Sequence, residues 1–598
     1  MKKQQHKLQD VEYDLIVVGS GNGACGFLSR YLDSEPKEQI LVIEEGQNFF
    51  FSSDIAHQYN WLKSFSEGKI FKLHNALTPE NIPIISGRAC TMGGGGSINY
   101  TMIHESSQWL ADHIGQSPEY WDELKAGLNP RFERPDPADD LSPIAKSVLK
   151  AAENKGFRLV ADAIANIPNQ PDLDADLLHI FPTLFNEFGQ RTHSGVSIVD
   201  WAYPTLTLKT RCRVEQLKFT EVDNQDCPLR CVAVHVKDLE TNEAYDIPLK
   251  ENGKLVLCAG AATPRLLMPY GDKLGKGSIS QQVNDHILLP LGLYLPKKGI
   301  RTSPKDNYVP IFATSFWRPG SEGQKDKEQT PQGSETLITF DFFAGEFDRL
   351  LFLVSHLFLA LLLPNWLKRF VIKWPWLFVV VKNVVRLLIQ LVNFIIGIFW
   401  GIGNWLRREP WHDELELITA IIKFKPAVSG QYEDNHKRIT LNFFAEVEET
   451  GFNQDKTVAQ QMIKKHIDFL NDLGEKPHVW VRFLLRLLLR LPYEKDQVDA
   501  YVKTYSKKFL LTEQHLAGGC LYGAALDKGL SHPQNTGKVF GAANVHIADL
   551  SSVPLPRVSP QMTAYLVGFH VAHRLCGDKM KPWNRKARIF KSIFSSVC

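Results

Sequence analysis

The chain has 598 residues, 68 Lys plus Arg against 66 Asp plus Glu, and 44% hydrophobic residues. That length exceeds one core and calls for two or more domains, and the composition is that of a globular protein without disordered bias. A net charge of +2 excludes a general nucleic-acid-binding role. The nine cysteines are scattered. Cys25, Cys90, Cys258 and Cys520 sit in apolar or Gly-rich contexts and read as buried thiols. Cys227 and Cys231 lack a second pair or a His cluster, so no metal site is expected. The polar stretch 1–10 has no signal-peptide apolar core, which points to the cytoplasm.

Tyr13 to Val18 is a short, β-branched apolar run that reads as a buried parallel strand. It leads into Gly19-Ser-Gly21-Asn-Gly-Ala24, then a helix over Cys25 to Leu32, then a second strand over Ile40 to Ile43 that ends at Glu44. This is the dinucleotide-binding pattern in its strand–turn–helix–strand context. Gly19 allows the tight turn, Gly21 lets a pyrophosphate approach the backbone, and Ala24 takes the small position where helix and strand pack closely. Phosphates then sit at the positive end of the helix, and Glu44 can accept hydrogen bonds from an adenosine ribose. The bland reading is a tight turn that binds nothing.

A second unusual segment follows: Gly87-Arg88-Ala-Cys-Thr-Met-Gly93-Gly94-Gly95-Gly96-Ser97-Ile-Asn99. Four consecutive glycines favour neither helix nor strand and let the backbone lie flat on a large ligand with its N–H groups turned inward. The bland alternative is a flexible linker.

Taken together, these loops resemble those of the glucose–methanol–choline (GMC) oxidoreductases, which are FAD-dependent. Four later stretches add to the resemblance, in the family's order. Leu206 to Leu217 is similar to the strand passing the adenine, with Val214 in the contacting position. Leu255 to Leu267, containing Gly260, is similar to the second signature. Val283-Asn-Asp285-His286 is similar to the Asp-His turn. His515-Leu-Ala-Gly-Gly-Cys520, Asn544 to Asp549, and Ser559-Pro560-Gln-Met562-Thr563 are similar to the C-terminal active-site block.

The resemblance implies an α/β fold with a Rossmann-like FAD-binding domain, a parallel sheet flanked by helices. The FAD-binding domain would comprise 12–105, 195–300 and 510–578. A substrate domain with an antiparallel sheet would comprise 106–194 and 301–509. Leu415 to Phe424 and Arg438 to Phe444 alternate enough to be two of its strands. It further implies cofactor contacts from Gly19, Gly21, Ala24, Glu44, Arg88, Gly93, Gly94, Gly95, Asn99, Val214, Gly260, Asp549, Pro560 and Met562. His515 falls on the family's catalytic base, a role that suits imidazole because its reference pKa is near neutral. Without that motif, His515 reads as a buried histidine satisfied by backbone. The family's second catalytic group is an Asn or His; this chain has Ser559, which offers a hydrogen bond but no base at neutral pH. Where some relatives carry a flavin-linking His, this chain has Ile98, so FAD is expected to be non-covalent. His104 reads as structural.

The stretch 344–410 differs from the rest. Leu350 to Leu367 and Leu387 to Leu406 carry no Asp, Glu, Lys or Arg, and the second run reaches the ~20 residues that span a bilayer. Lys368, Arg369, Lys373, Trp374, Trp376, Lys382, Arg386, Arg407 and Arg408 bracket these runs, as interface anchoring requires. A buried hairpin, a two-span hairpin and a monotopic patch compete; His356, Pro364 and Asn365 favour the patch. At 478–491, Arg482, Arg486 and Arg490 share one face of an apolar helix, as an interfacial helix for anionic lipid would; the tail 579–598 is also basic. Peripheral or monotopic membrane association is therefore expected, with membrane lipid as a partner.

Because the apolar segments fall in the part resembling a substrate domain, the expected reaction is hydride removal from the CH–OH of a lipophilic alcohol (long-chain alcohol, sterol or terpenoid) to flavin N5. Quinone or oxygen would accept the electrons, and a homo-oligomer is compatible with this. Ser559 keeps a flavin-dependent lipid isomerase, lyase or photoenzyme open. A non-catalytic membrane-bound flavoprotein is the third reading.

Overall fold

The computed structural model describes residues 8–48, 70–98, 107–132, 197–296, 414–433, 438–448, 451–476, 490–508, 510–527, 535–556 and 559–577. Shorter stretches within 150–180, 311–344 and 364–387 are described as well. Asn99, His104, most of 344–410, nearly all of 478–491 and all of 579–598 lie outside the described residues.

Tyr13–Val18 and Ile40–Ile43 are the central parallel pair of a seven-stranded sheet. Both runs are apolar on both faces because both are covered, as a parallel sheet requires. On one side the sheet continues through Leu206–Lys209; on the other, through Ala244–Leu257, which also pairs with Val545–Ile547. Ala244–Leu257 then turns antiparallel to Leu229–Asp238, and that strand pairs with Cys212–Glu221. The expected single strand from Leu206 to Leu217 is instead two strands, parted at Thr210 and Arg211, where Arg211 has φ +54°. A left-handed residue cannot sit inside a ladder, so the chain changes partner there.

Helix α1, Asn22–Tyr31, starts three residues earlier than expected and buries nearly all of its side chains. Cys25, Cys90, Cys258 and Cys520 are buried and free, as expected.

A second sheet, twelve-stranded and mostly antiparallel among the described residues, is built around Ile287–Pro296, Glu414–Phe424, Gln332–Ala344 and Ile311–Trp317. The strand expected at Leu415 to Phe424 is present as Glu414–Phe424. The one expected at Arg438 to Phe444 shrinks to Ile439–Thr440, because Phe444 takes φ +56° and the chain turns. Leu510–Thr512 lies inside this sheet, between Ile287–Pro296 and Pro83–Ile85. Helix α2, Asn365–Lys373, is anchored by Lys368, whose Nζ donates to the Lys508 carbonyl just before Leu510–Thr512. No helix among the described residues is long and apolar enough to cross a membrane.

Helix α3, Gln561–Cys576, closes the core behind the first sheet. It packs on α1 at backbone contact. A β-carbon on Gly26 would overlap the Tyr565 carbonyl oxygen, and one on Gly568 would overlap the Gly23 carbonyl oxygen. The close-packing role expected of Ala24 is therefore carried by Gly23 and Gly26. Ala24 is simply buried.

Candidate active site

The first sheet ends in a cradle of loops. Gly19 has φ +97°, and a β-carbon there would strike the Cys258 carbonyl, so only glycine fits. Gly21 caps α1 without any side-chain hydrogen bond, leaving the helix's first N–H groups for a ligand. The second glycine run does not lie flat: Gly94–Ser97 forms a 3-10 turn after Gly93, and both Gly93 (φ +83°) and Gly94 (φ +55°) are left-handed. That turn rests on the first loop, with a β-carbon on Gly94 falling 2.8 Å from the Gly21 Cα. Gly93 N–H donates to Ser20 Oγ at 3.2 Å. A β-carbon on Gly95 or Gly260 would meet nothing within 4 Å.

Glu44 is buried, and burial raises its pKa. It accepts from Ser20 N (3.0 Å), Ser20 Oγ (2.7 Å) and Gly46 N (2.7 Å), so it braces the first loop as well as ending the second strand. Arg88 turns toward Glu45, a residue the sequence reading passed over, and Lys72 pairs with the same carboxylate. Burial would raise Glu45, but the two cations win and hold it at about 2. Asp549 has both oxygens taken by protein donors: Gly260 N (2.7 Å), Thr263 Oγ1 (2.6 Å), Ser551 N (2.8 Å) and Ser551 Oγ (2.6 Å). Its carboxylate thus fixes the Gly260 turn. Val214 is half-buried in Cys212–Glu221, and Pro560 and Met562 are buried at the start of α3.

The cradle fits an FAD. Its glycine loops leave room where side chains would intrude. Asn22 Oδ1, Thr563 Oγ1, and Arg265 Nε and Nη2 are shut from solvent with no protein partner among the described residues. Such atoms are costly unless a polar ligand meets them. Arg265, missed in the sequence, lies over the Tyr432 ring with its guanidinium carbon 5.6 Å from the centroid.

His515 follows the interior strand Leu510–Thr512 of the second sheet and is held on two sides. Its backbone N–H donates to Asp285 Oδ1 at 2.8 Å. Asp285 also accepts from His286 N (2.9 Å) and Ser86 Oγ (3.0 Å), and burial pushes it up to about 6. On the side-chain side, His515 Nδ1 lies 3.1 Å from Glu513 Oε2 and 3.2 Å from His286 Nδ1. Lys423 Nζ, almost wholly buried, lies 3.0 Å from the same Glu513 oxygen. Burial would raise the Glu513 pKa, but Lys423 and His515 hold it well below the usual carboxylate range.

His286, Glu513 and His515 place three ligand atoms within 4.8 Å of one another, a donor set that a divalent cation could use. Lys423 already occupies one side of that carboxylate, and its charge opposes a cation there. Ser559 is buried; His515 is instead hydrogen-bonded to Asp285 and His286, with the Glu513 carboxylate 3.1 Å from its Nδ1. The stretch before Ser559 does reach the site, since the Pro556 carbonyl lies 2.9 Å from His286 Nε2.

Comparisons with known proteins agree with this geometry. Residues 428–568 match the family model GMC oxidoreductase. A sinalpyl alcohol oxidase of Nesocodon mauritianus is 24% identical over 281 residues, covering 44% of this chain and 45% of that oxidase. The match thus spans under half of the relative's length. Among solved structures, pyridoxine 4-oxidase from Mesorbium loti shares the fold with a TM-score of 0.60 at 15% identity, over 94% of this chain and 98% of that one. A formate oxidase variant of Aspergillus oryzae RIB40, described for its FAD modification, aligns with a TM-score of 0.62 at 16% identity, over 95% and 98%. Residues 428–568 are thus similar to the C-terminal part of that family, and the chain shares its fold with these solved structures.

Proposed function

We propose that this chain is an FAD-dependent GMC-type alcohol oxidoreductase whose substrate is a lipophilic alcohol taken up at a membrane surface. Its FAD-binding segments are 12–105, 195–300 and 510–578, its substrate segments 106–194 and 301–509, and its FAD non-covalent. One observation carries the chemistry: His515 is clamped through Nδ1 and its backbone N–H, while Nε2 has no protein partner among the described residues. An imidazole so fixed presents one nitrogen to a substrate hydroxyl. Bound FAD supplies the hydride acceptor. The glycine turns at Gly19–Gly21 and Gly93–Gly95, with Gly260, hold it, and Asn99, Val214, Pro560 and Met562 complete the set by resemblance. His515 Nε2 takes the hydroxyl proton, and Ser559 offers one hydrogen bond to the substrate. Quinone or oxygen receives the electrons.

The lipophilic substrate is supported by α2. Trp366 (69% exposed) and Phe370 (49%) present one apolar face to water, and Val384 and Leu387 further on are also exposed. From Leu350 to Arg408 the sequence holds Lys and Arg but no Asp or Glu. An exposed apolar face with a basic flank suits anionic lipid. Through Lys368, α2 is tied to Lys508, two residues before the strand that leads to His515.

The test is an anaerobic titration of the detergent-purified holoprotein with alcohols of increasing chain length and with sterols. Bleaching of the oxidised flavin band by long-chain but not short alcohols, abolished in His515→Ala, is the expected result. A flavin that no alcohol bleaches would sink the reading. Ser559, standing where the family's pattern has Asn or His, would then favour a lipid isomerase, lyase or photoenzyme; a dispensable His515 would leave a non-catalytic flavoprotein.

A further inference from the structure

His515 Nδ1 has two neighbours, and both are acceptors. His286 Nε2 lies 2.9 Å from the Pro556 carbonyl, which only accepts, so that nitrogen carries the hydrogen. His286 is fully buried, and burial with the nearby His515 pushes its pKa well below normal, so the ring is neutral and its Nδ1 is a lone pair. The other neighbour, Glu513, is kept ionised by Lys423 at 3.0 Å. An acceptor on each side requires a donor between them. The hydrogen of neutral His515 therefore belongs on Nδ1, and its lone pair on Nε2.

We infer that Glu513 and Lys423 are positioning residues that set the tautomer of His515: the carboxylate selects the Nδ1–H form, and the buried ammonium keeps that carboxylate ionised. When Nε2 takes the hydroxyl proton, the ring becomes an imidazolium, and its charge meets Glu513 at 3.1 Å. Without Lys423, burial would favour the protonated carboxyl of Glu513, and Nδ1 would lose its ionised acceptor. Without Glu513, Lys423 would oppose the imidazolium. The charged and titratable groups facing His515 are Glu513 on its own segment, Asp285 and His286 at the start of Ile287–Pro296, and Lys423 on Glu414–Phe424. Asp285 binds the backbone N–H and is left intact by both substitutions below.

The alcohol-oxidation reading gives this base its task; the location of the proton rests on the geometry alone. The test reads the proton directly. The holoprotein, labelled with 15N-histidine, is titrated by NMR, and the His515 signal is assigned by its loss in His515→Gln. The neutral ring is expected as the Nδ1–H tautomer, the minor form of free histidine. Lys423→Met and Glu513→Gln are each expected to raise the share of the Nε2–H tautomer, because each removes the ionised acceptor beside Nδ1. An Nε2–H tautomer in the wild type, or a tautomer unchanged in both variants, would overturn the inference. Should either variant fail to fold, the wild-type tautomer decides. The expected tautomers in a protein whose flavin no alcohol reduces would uphold this inference and sink the alcohol-oxidation reading.

Discussion

Gly568 on α3 sits on the carbonyl of Gly23 on α1. A β-carbon there would overlap that oxygen and lie 2.8 Å from the Phe27 nitrogen. Both obstacles are backbone, so neither can swing aside, and the helix that presents its N-terminus to the cofactor is located by this contact. Gly568→Ala should destabilise the protein by about 1–3 kcal/mol or more, the usual range for overpacking a core. A lower thermal midpoint together with weaker flavin retention would show it. An unchanged midpoint would mean that α1 and α3 are free to separate.

His515 and Ser559 should differ sharply. His515→Ala is expected to slow flavin reduction by about 10²–10⁴-fold, the range for a lost general base, while the flavin stays bound. Ser559→Ala removes at most one hydrogen bond of ~1 kcal/mol and should cost about tenfold or less. Stopped-flow reduction with a saturating alcohol measures both. A Ser559→Ala loss as large as that of His515→Ala would make the hydroxyl an equal partner.

Two buried histidines and one half-buried one make stability fall in acid. Burial pushes His546 and His570 down to about 3 and His573 to about 4. Unfolded histidine titrates near ~6.5. Between those values the unfolded chain binds protons that the native state refuses, so stability is lost as pH drops below about 6.5. Asp285, raised to about 6, acts in the opposite sense. His570→Gln removes one contributor, so its thermal midpoint should fall less steeply from pH 7 to pH 4 than that of the wild type. Calorimetry across that range checks it, and parallel slopes would contradict it.

Membrane association has its own readout. Trp366→Ser with Phe370→Ser removes two exposed aromatics from α2. Burying one aromatic is worth ~1.5–3 kcal/mol, so binding to anionic vesicles should weaken by at least about tenfold. Vesicle co-sedimentation measures this. Wild-type protein that stays in the supernatant would remove α2 as a lipid contact.

Local chemistry made much of the cofactor region legible. Tyr13–Val18, Gly19, α1, Ile40–Ile43 and Glu44 are consecutive in the chain, so their order and spacing already describe a strand, a turn and a helix. The partners of that region were not legible. Ala24 looked like the packing residue, yet the Ala548 carbonyl selects Gly23 and the Tyr565 carbonyl of α3 selects Gly26, both more than five hundred residues later. Arg88 looked free for a ligand until folding set Glu45 and Lys72 beside it.

By itself the sequence determined the nucleotide-binding turn, the two central strands, the burial of the cysteines and the prominence of His515, because each depends on neighbours a few positions away. Only the tertiary structure decided what His515 touches. Lys423 reaches Glu513 because Glu414–Phe424 and Leu510–Thr512 flank the same strand, Ile287–Pro296, and His286 enters at that strand's start. Strand order joins residues far apart in the chain, and no local period encodes it. A buried charge network forms only where that order brings its members within reach of one another.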